Sequence, residues 1–171
     1  MTDLKPLKDK TAIVTGAGRG IGMAIAEGFA KAGANVSIAA RSKEDLSSVE
    51  TQIKKFNSNV VAFQTDVSQS EDVDALVNNT LKSFGRIDIL VNNAGVYKEL
   101  ALVPFPDQTL TPPSVTRSSN ERMTDDEFKQ IIDTNIGGVF YGCRSVAPSM
   151  MDQKYGKIIN ISSIAASKAS T

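Results

Sequence analysis

At 171 residues, with 41% apolar and 22% charged positions, the chain is sized for one domain with a buried core, and extended disorder is excluded. Its 19 basic and 19 acidic residues cancel and the basic ones are scattered, so neither a nucleic-acid nor an anionic-membrane partner is expected. The chain has no histidine, which removes a Ser-His-Asp triad, a histidine base and histidine metal ligands together; acid–base work near neutral pH falls to Tyr, Lys, carboxylates or the single Cys143.

The apolar run Thr11–Thr15 predicts a buried strand. A glycine turn follows, and Ile21, Ile25 and Phe29 mark one face of a helix that Gly33 ends. Residues 36–40 predict a second strand. Ser42 is placed as an N-cap with Asp45 three residues on, and Leu46, Val49, Ile53 and Phe56 keep helical spacing. Residues 60–63 predict strand three, and Ser70 caps a helix along Val73, Leu76, Val77, Thr80 and Phe84 that Gly85 stops. Residues 87–91 predict strand four. Thr124-Asp125-Asp126-Glu127 reads as a capping box for a long helix through Phe128, Ile131, Ile132, Ile136, Val139 and Phe140, which Pro148 bends or ends. Residues 157–161 predict strand five.

Short apolar strands alternating with amphipathic helices imply βαβ units, hence an α/β, Rossmann-like, doubly wound parallel sheet with helices on both faces. One segment breaks this rhythm. Residues 97–123 hold Pro104, Pro106, Pro112 and Pro113, are rich in Ser and Thr, and read as an inserted loop: either a lid on the substrate side or an insertion without a fixed role. One cysteine excludes an internal disulfide and fits a reducing compartment. The charged first ten residues do not read as a signal peptide, and no apolar run approaches the ~20 residues that span a bilayer. The expected location is cytoplasmic.

The most informative run is Thr15-Gly16-Ala17-Gly18-Arg19-Gly20-Ile21-Gly22, lying between a strand and a helix. A glycine turn leading into a helix N-terminus is the geometry that cradles a dinucleotide pyrophosphate. The spacing is T-G-x-x-x-G-x-G rather than G-x-G-x-x-G. Together with Asn92-Asn93-Ala94-Gly95 downstream, it resembles the short-chain dehydrogenase/reductase family in its compact form. A P-loop is excluded because the turn has no Gly-Lys-Ser/Thr ending, and an extended-branch nucleotide-sugar epimerase is disfavoured by the glycine spacing.

That resemblance makes residues 1–171 a single dinucleotide-binding domain, the first two-thirds of a typical member, with the C-terminal part of the fold missing. In it, Gly16 gives the tight turn, Gly20 lets backbone approach phosphate, and Gly22 permits close helix–strand packing; Thr15, Gly18, Arg19 and Ile21 complete the motif. The family's NAD-selecting acidic residue falls at Ala40, followed by Arg41. A missing carboxylate removes repulsion against a 2′-phosphate, and guanidinium groups at Arg41 and Arg19 offer it hydrogen bonds. The implied cofactor is therefore NADP(H), with NAD(H) the second choice; the alternative for Arg41 is a solvated charge opening a helix. Asp66 and Val67 are implied at the adenine, although Asp66 also suits a turn cap. Asn93, Ala94 and Gly95 stand where strand order reverses, with Asn93 the sheet-stabilising hydrogen-bonder of the three.

The family reaction is hydride transfer between the nicotinamide and a ketone or secondary alcohol, the implied small-molecule substrate. A tyrosine moves the proton, a lysine four residues later lowers its pKa, a serine polarises the carbonyl, and an asparagine holds a water. Asn135, set within the apolar stripe, matches that asparagine, the alternative being a core amide satisfied by backbone; Gly137-Gly138 behind it is a point where the helix can kink. Asn160-Ile161-Ser162-Ser163 matches the serine motif, with Ser163 the better candidate. No Tyr-x-x-x-Lys is present: Tyr97, Tyr141 and Tyr155 have no lysine four residues on. Two readings follow: an oxidoreductase by family, or an NADP(H)-binding protein without turnover, a sensor or truncated isoform. The full-length form is implied to be a homodimer or homotetramer. In the chain as it stands, strand five is expected to be an unprotected edge and the long helix to lack its neighbour.

Overall fold

The computed structural model describes residues 5–56, 59–97 and 122–163. Within them the chain alternates β1 (Thr11–Thr15), α1 (Gly20–Lys31), β2 (Asn35–Ala40), α2 (Lys43–Lys54), β3 (Val60–Gln64), α3 (Ser70–Phe84) and β4 (Ile89–Asn92). It continues with α4 (Asp125–Ile132), a π-turn (Asp133–Gly137), α5 (Gly138–Asp152) and β5 (Lys157–Asn160). All neighbouring strands are parallel and their order is β3-β2-β1-β4-β5. The order reverses between β1 and β4, which opens a crevice at the C-terminal ends of those strands.

Alternation along the strands builds two cores. Ala12 and Val14, Val36 and Ile38, and Ile89 and Val91 face α1 and α2, where they meet Ala26, Ala30, Leu46, Val49 and Ile53. Ile13, Ala39 and Leu90 face the other side and pack with Leu76, Val77, Val146 and Met150 of α3 and α5. This is the doubly wound arrangement that the strand–helix alternation predicts. Residues burying both faces of β1, β2 and β4 explain why those strands read as continuous apolar runs.

Several local expectations are corrected. The buried face of α1 is Gly22, Ala26 and Ala30; Ile25 and Phe29 only flank it, and Ile21 is 64% exposed. Small residues form the inner stripe because the helix lies close against β1. Ser70 opens α3 but is not its cap: Gln69 holds that position without a side-chain bond, while Asp72 reaches back to accept from the Asp66 N–H at 2.9 Å. β4 begins at Ile89 rather than residue 87, because the Asp88 side chain already occupies the Thr11 N–H (3.0 Å).

The long helix differs most. The Thr124–Glu127 capping box is present and the helix runs on to Asp152, with Pro148 inside α5 rather than ending it; the regular α spacing is interrupted only at the π-turn. Phe128, Ile132, Ile136 and Phe140 face away from the sheet at 55%, 37%, 61% and 58% exposure, and Asn135 is itself exposed rather than a core amide. The sheet side of α5 is instead Gly138, Gly142, Val146 and Met150, a four-residue repeat with glycines where the backbone comes closest. All four residues of β5 are exposed, as expected for the edge of the sheet. The inserted loop of residues 97–123 lies outside the described residues except at Tyr97, Arg122 and Met123. Among the described residues no helix is long and apolar enough to cross a membrane, and no group of three His, Cys, Asp or Glu side chains is placed to hold a metal ion.

Candidate dinucleotide-binding cleft

The glycine turn is locked to the end of β4 by a small set of bonds. The buried Thr15 hydroxyl donates to Val91 O (3.2 Å) and accepts the N–H groups of Asn93 (3.0 Å) and Ala94 (3.1 Å). The Asn93 amide returns the link, with Nδ2 donating to Thr15 O (2.9 Å) and Gly16 O (3.3 Å). Thr15 and Asn93 therefore hold the two walls of the crevice in register. Gly16 takes φ +65°, and a Cβ there would stand 2.8 Å from Ala94 Cα. Gly20 takes φ +57° with no heavy atom within 4 Å of its Cβ position, so the N-terminus of α1 presents bare backbone to open space. That is the steric and electrostatic cradle an anionic pyrophosphate requires.

A cleft of about 380 Å³ runs from this turn along the strand ends. Of the residues singled out from sequence it brings together Gly16, Gly18, Arg19, Arg41, Asp66, Val67, Asn93, Ala94 and Gly95. Thr15, Gly20, Ile21 and Gly22 are not on its wall: Thr15 and Gly22 are buried behind it, and Ile21 points to solvent. Ala40, Ser42, Asp45, Thr65, Val96 and Thr134 line it as well. Ser42 and Asp45 had a legible role only as helix caps, and nothing in their spacing reported that they also border a cavity.

Arg19 in the turn and Arg41 after β2 both line the cleft and stand exposed. Among the described residues, neither guanidinium is engaged in an ion pair or hydrogen bond. Asp66 does cap its turn, Oδ1 accepting Ser68 N (3.0 Å) and Ser68 Oγ (2.7 Å), and it still lines the cleft. Val67 packs under Gly138 of α5, where a Cβ would come within 2.8 Å of Val67 Cγ2.

Asn135 sits in the π-turn, where the Gly138 N–H reaches Asp133 O. One extra residue per turn re-aims side chains, and such turns concentrate at functional sites. Here the amide of Asn135 clamps one residue: Oδ1 accepts Val96 N–H (2.8 Å) and Nδ2 donates to Val96 O (2.9 Å). It thereby fixes the chain leaving Asn93-Ala94-Gly95. Ser162 and Ser163 follow β5, exposed, at the same end of the sheet as the glycine turn. The Asn92 amide joins β4 to β5 by donating to Asn160 Oδ1 (2.9 Å), with Cys143 Sγ at 3.7 Å; only the strand-end position of Asn92 hinted at this.

A glycine turn on a helix N-terminus, at the switch point of a parallel sheet and open to a polar cleft, is the arrangement with which open α/β folds hold dinucleotides. The short chain dehydrogenase family model matches residues 10–171, and the chain belongs to that family. It is 36% identical over 156 residues to the 3-oxoacyl-acyl-carrier-protein reductase FabG of Staphylococcus aureus, covering 91% of this chain and 56% of the reductase. The chain thus spans little more than half the length of the curated relatives it matches. Among solved structures it is similar to NAD+-bound xylitol dehydrogenase, with TM-score 0.81 and 28% identity over 96% of this chain and 56% of that one. It is also similar to a metagenomic short-chain oxidoreductase in complex with NADP, with TM-score 0.78 and 34% identity over 96% of this chain and 67% of that one.

Proposed function

We propose that this chain forms the cofactor-binding part of an oxidoreductase that uses NADP(H) to interconvert a ketone and a secondary alcohol. The observation that carries the cofactor preference is the end of β2: Ala40 offers no carboxylate, and the unpaired guanidiniums of Arg41 and Arg19 flank the same cleft. A 2′-phosphate accepts bidentate, charge-assisted hydrogen bonds from such groups. The relatives bind either NAD+ or NADP, so the family leaves this choice to local residues.

When bound, the nicotinamide supplies the hydride chemistry. The residues of this chain do the holding. Backbone N–H groups at the start of α1 would hold the pyrophosphate, Asp66 and Val67 would serve the adenine, and Ala94-Gly95 would leave room for the ribose. Asn135 keeps that last loop in place through Val96, and Ser163 is the hydroxyl assigned to the substrate carbonyl. Within residues 1–171 no tyrosine has a lysine four residues on, so none of these residues is assigned the proton.

Arg41→Asp tests the preference. The Kd ratio of NADH to NADPH is expected to fall by between about tenfold and a hundredfold, as a charge-assisted contact is replaced by repulsion. An unchanged ratio removes the NADP(H) assignment.

A further inference from the structure

We infer that Asp45 opposes the two arginines, so that the cleft is tuned to admit NAD(H) beside NADP(H) rather than to exclude it. This rests on the cofactor reading above. Among the described residues two helices have side-chain N-caps, and these provide the internal comparison. At α4 the box is closed: Thr124 accepts from the Glu127 N–H, and Glu127 Oε2 accepts from the Thr124 N–H at 3.0 Å. At α2 only half of it forms. The Ser42 hydroxyl accepts from the Asp45 N–H (3.1 Å), but the Asp45 carboxylate makes no return bond. The Ser42 hydroxyl donates instead to Glu44 Oε2 (3.3 Å).

The freed carboxylate faces the cleft. Its Cβ lies 3.0 Å and its Oδ2 3.6 Å from where a Cβ on Gly18 would stand, and it lines the cavity with Arg19, Ala40 and Arg41. The end of β2 lacks an acid, but the first turn of α2 sets one beside it: Ala40 Cβ and Asp45 Cβ lie 3.3 and 3.0 Å from the same Cβ position on Gly18. An ionised carboxylate accepts hydrogen bonds only. Beside the adenosine ribose it accepts from a 2′-hydroxyl and repels a 2′-phosphate. The same group thus favours NAD(H) and tempers the pull of the arginines on NADP(H).

The test is calorimetric titration of the full chain with NADPH and, separately, NADH, comparing the parent with Asp45→Asn and Glu44→Gln. Asp45→Asn keeps the backbone N–H that Ser42 uses, so α2 stays capped. Its NADH-to-NADPH Kd ratio is expected to rise about tenfold, with NADPH tighter and NADH weaker. Glu44→Gln removes a neighbouring charge and is expected to leave the ratio unchanged. If Asp45→Asn changes both affinities equally or neither, or if Glu44→Gln moves the ratio as far, the assignment of Asp45 is overturned while the cofactor reading stands. If the folded parent binds neither nucleotide, the cofactor reading fails and takes this inference with it.

Discussion

Gly22→Ala is expected to weaken nucleotide binding by more than about a hundredfold and to lower stability by about 1–3 kcal/mol, the usual range for overpacking a tight contact. The reason is local. A Cβ at Gly22 would stand 2.4 Å from both Asn93 Nδ2 and Gly16 O. Those atoms belong to the two walls of the cleft and are themselves bonded to each other at 3.3 Å. A methyl group must either drive the Asn93 amide off Thr15 O and Gly16 O or lift α1 from the turn, and each displaces the backbone proposed to hold the pyrophosphate. Gly28 is the control. It lies in the same helix, exposed, with nothing within 4 Å of its Cβ position. Gly28→Ala is expected to raise stability by about 0.5–1 kcal/mol through the smaller entropy of the unfolded chain and leave binding alone. Thermal melts and an NADPH titration of the two variants separate these outcomes. Equal binding by both would contradict the role given to Gly22.

The second large effect lies at the opposite end of the strands, where β1 and β4 begin. Asp88 has a fully buried side chain that accepts from Arg86 Nε (2.8 Å) and Nη2 (2.7 Å), the Thr11 N–H (3.0 Å) and Lys10 Nζ (3.3 Å). The Lys10 ammonium also sits 4.1 Å above the Tyr155 ring, so this one carboxylate gathers the segments leading into β1, β4 and β5. Burial works to raise the Asp88 pKa, but the hydrogen bonds from Arg86, Thr11 and Lys10, with the Arg86 charge, outweigh it and hold the group below the usual carboxylate range. The same contact raises the Arg86 pKa.

The linkage has a definite sign. An unfolded aspartate takes up its proton near pH 3.9 and the native one only at lower pH, so the unfolded chain binds more protons in between. The stability Asp88 contributes is complete above roughly pH 5 and is lost as pH falls through its native pKa. Asp88→Asn is expected to cost about 2–3 kcal/mol at pH 7, below the full penalty for a broken buried pair because Lys10 and Arg86 remain partly in water. Its melting temperature should also change less than that of the parent between pH 5 and pH 2.5. An acid limb as steep in the variant as in the parent would show that other carboxylates control it.

Much of this arrangement is written locally in the chain. Strands β1 and β2 and the inner face of α2 follow from apolar runs and spacing, and the glycine turn from its place between a strand and a helix. What escaped was set by tertiary contact. Ile21, Ile25 and Phe29 have a fair helical period, yet the sheet accepts Gly22, Ala26 and Ala30 because only small side chains fit at that distance. The stripe from Phe128 to Phe140 is as periodic as a core face yet stands exposed, while the buried residues of α5 are Gly138, Gly142, Val146 and Met150. Asn135 was legible as an interruption of that stripe; its hold on Val96 was not, because a contact over 39 positions leaves no trace in local spacing. Asp45 looked like half of a capping box, and only coordinates separate a closed box from an open one.

The central claim is that the cleft between Gly16 and Asn93 receives a nicotinamide dinucleotide. Titration of the chain with NADPH, followed by calorimetry and by thermal melting at about one hundred times the Kd, tests it most directly. The account predicts one saturable site per chain and a rise in melting temperature of about 5–10 °C. A chain that melts cooperatively, takes up no heat on titration with NADPH or NADH, and melts at the same temperature with and without them would contradict it.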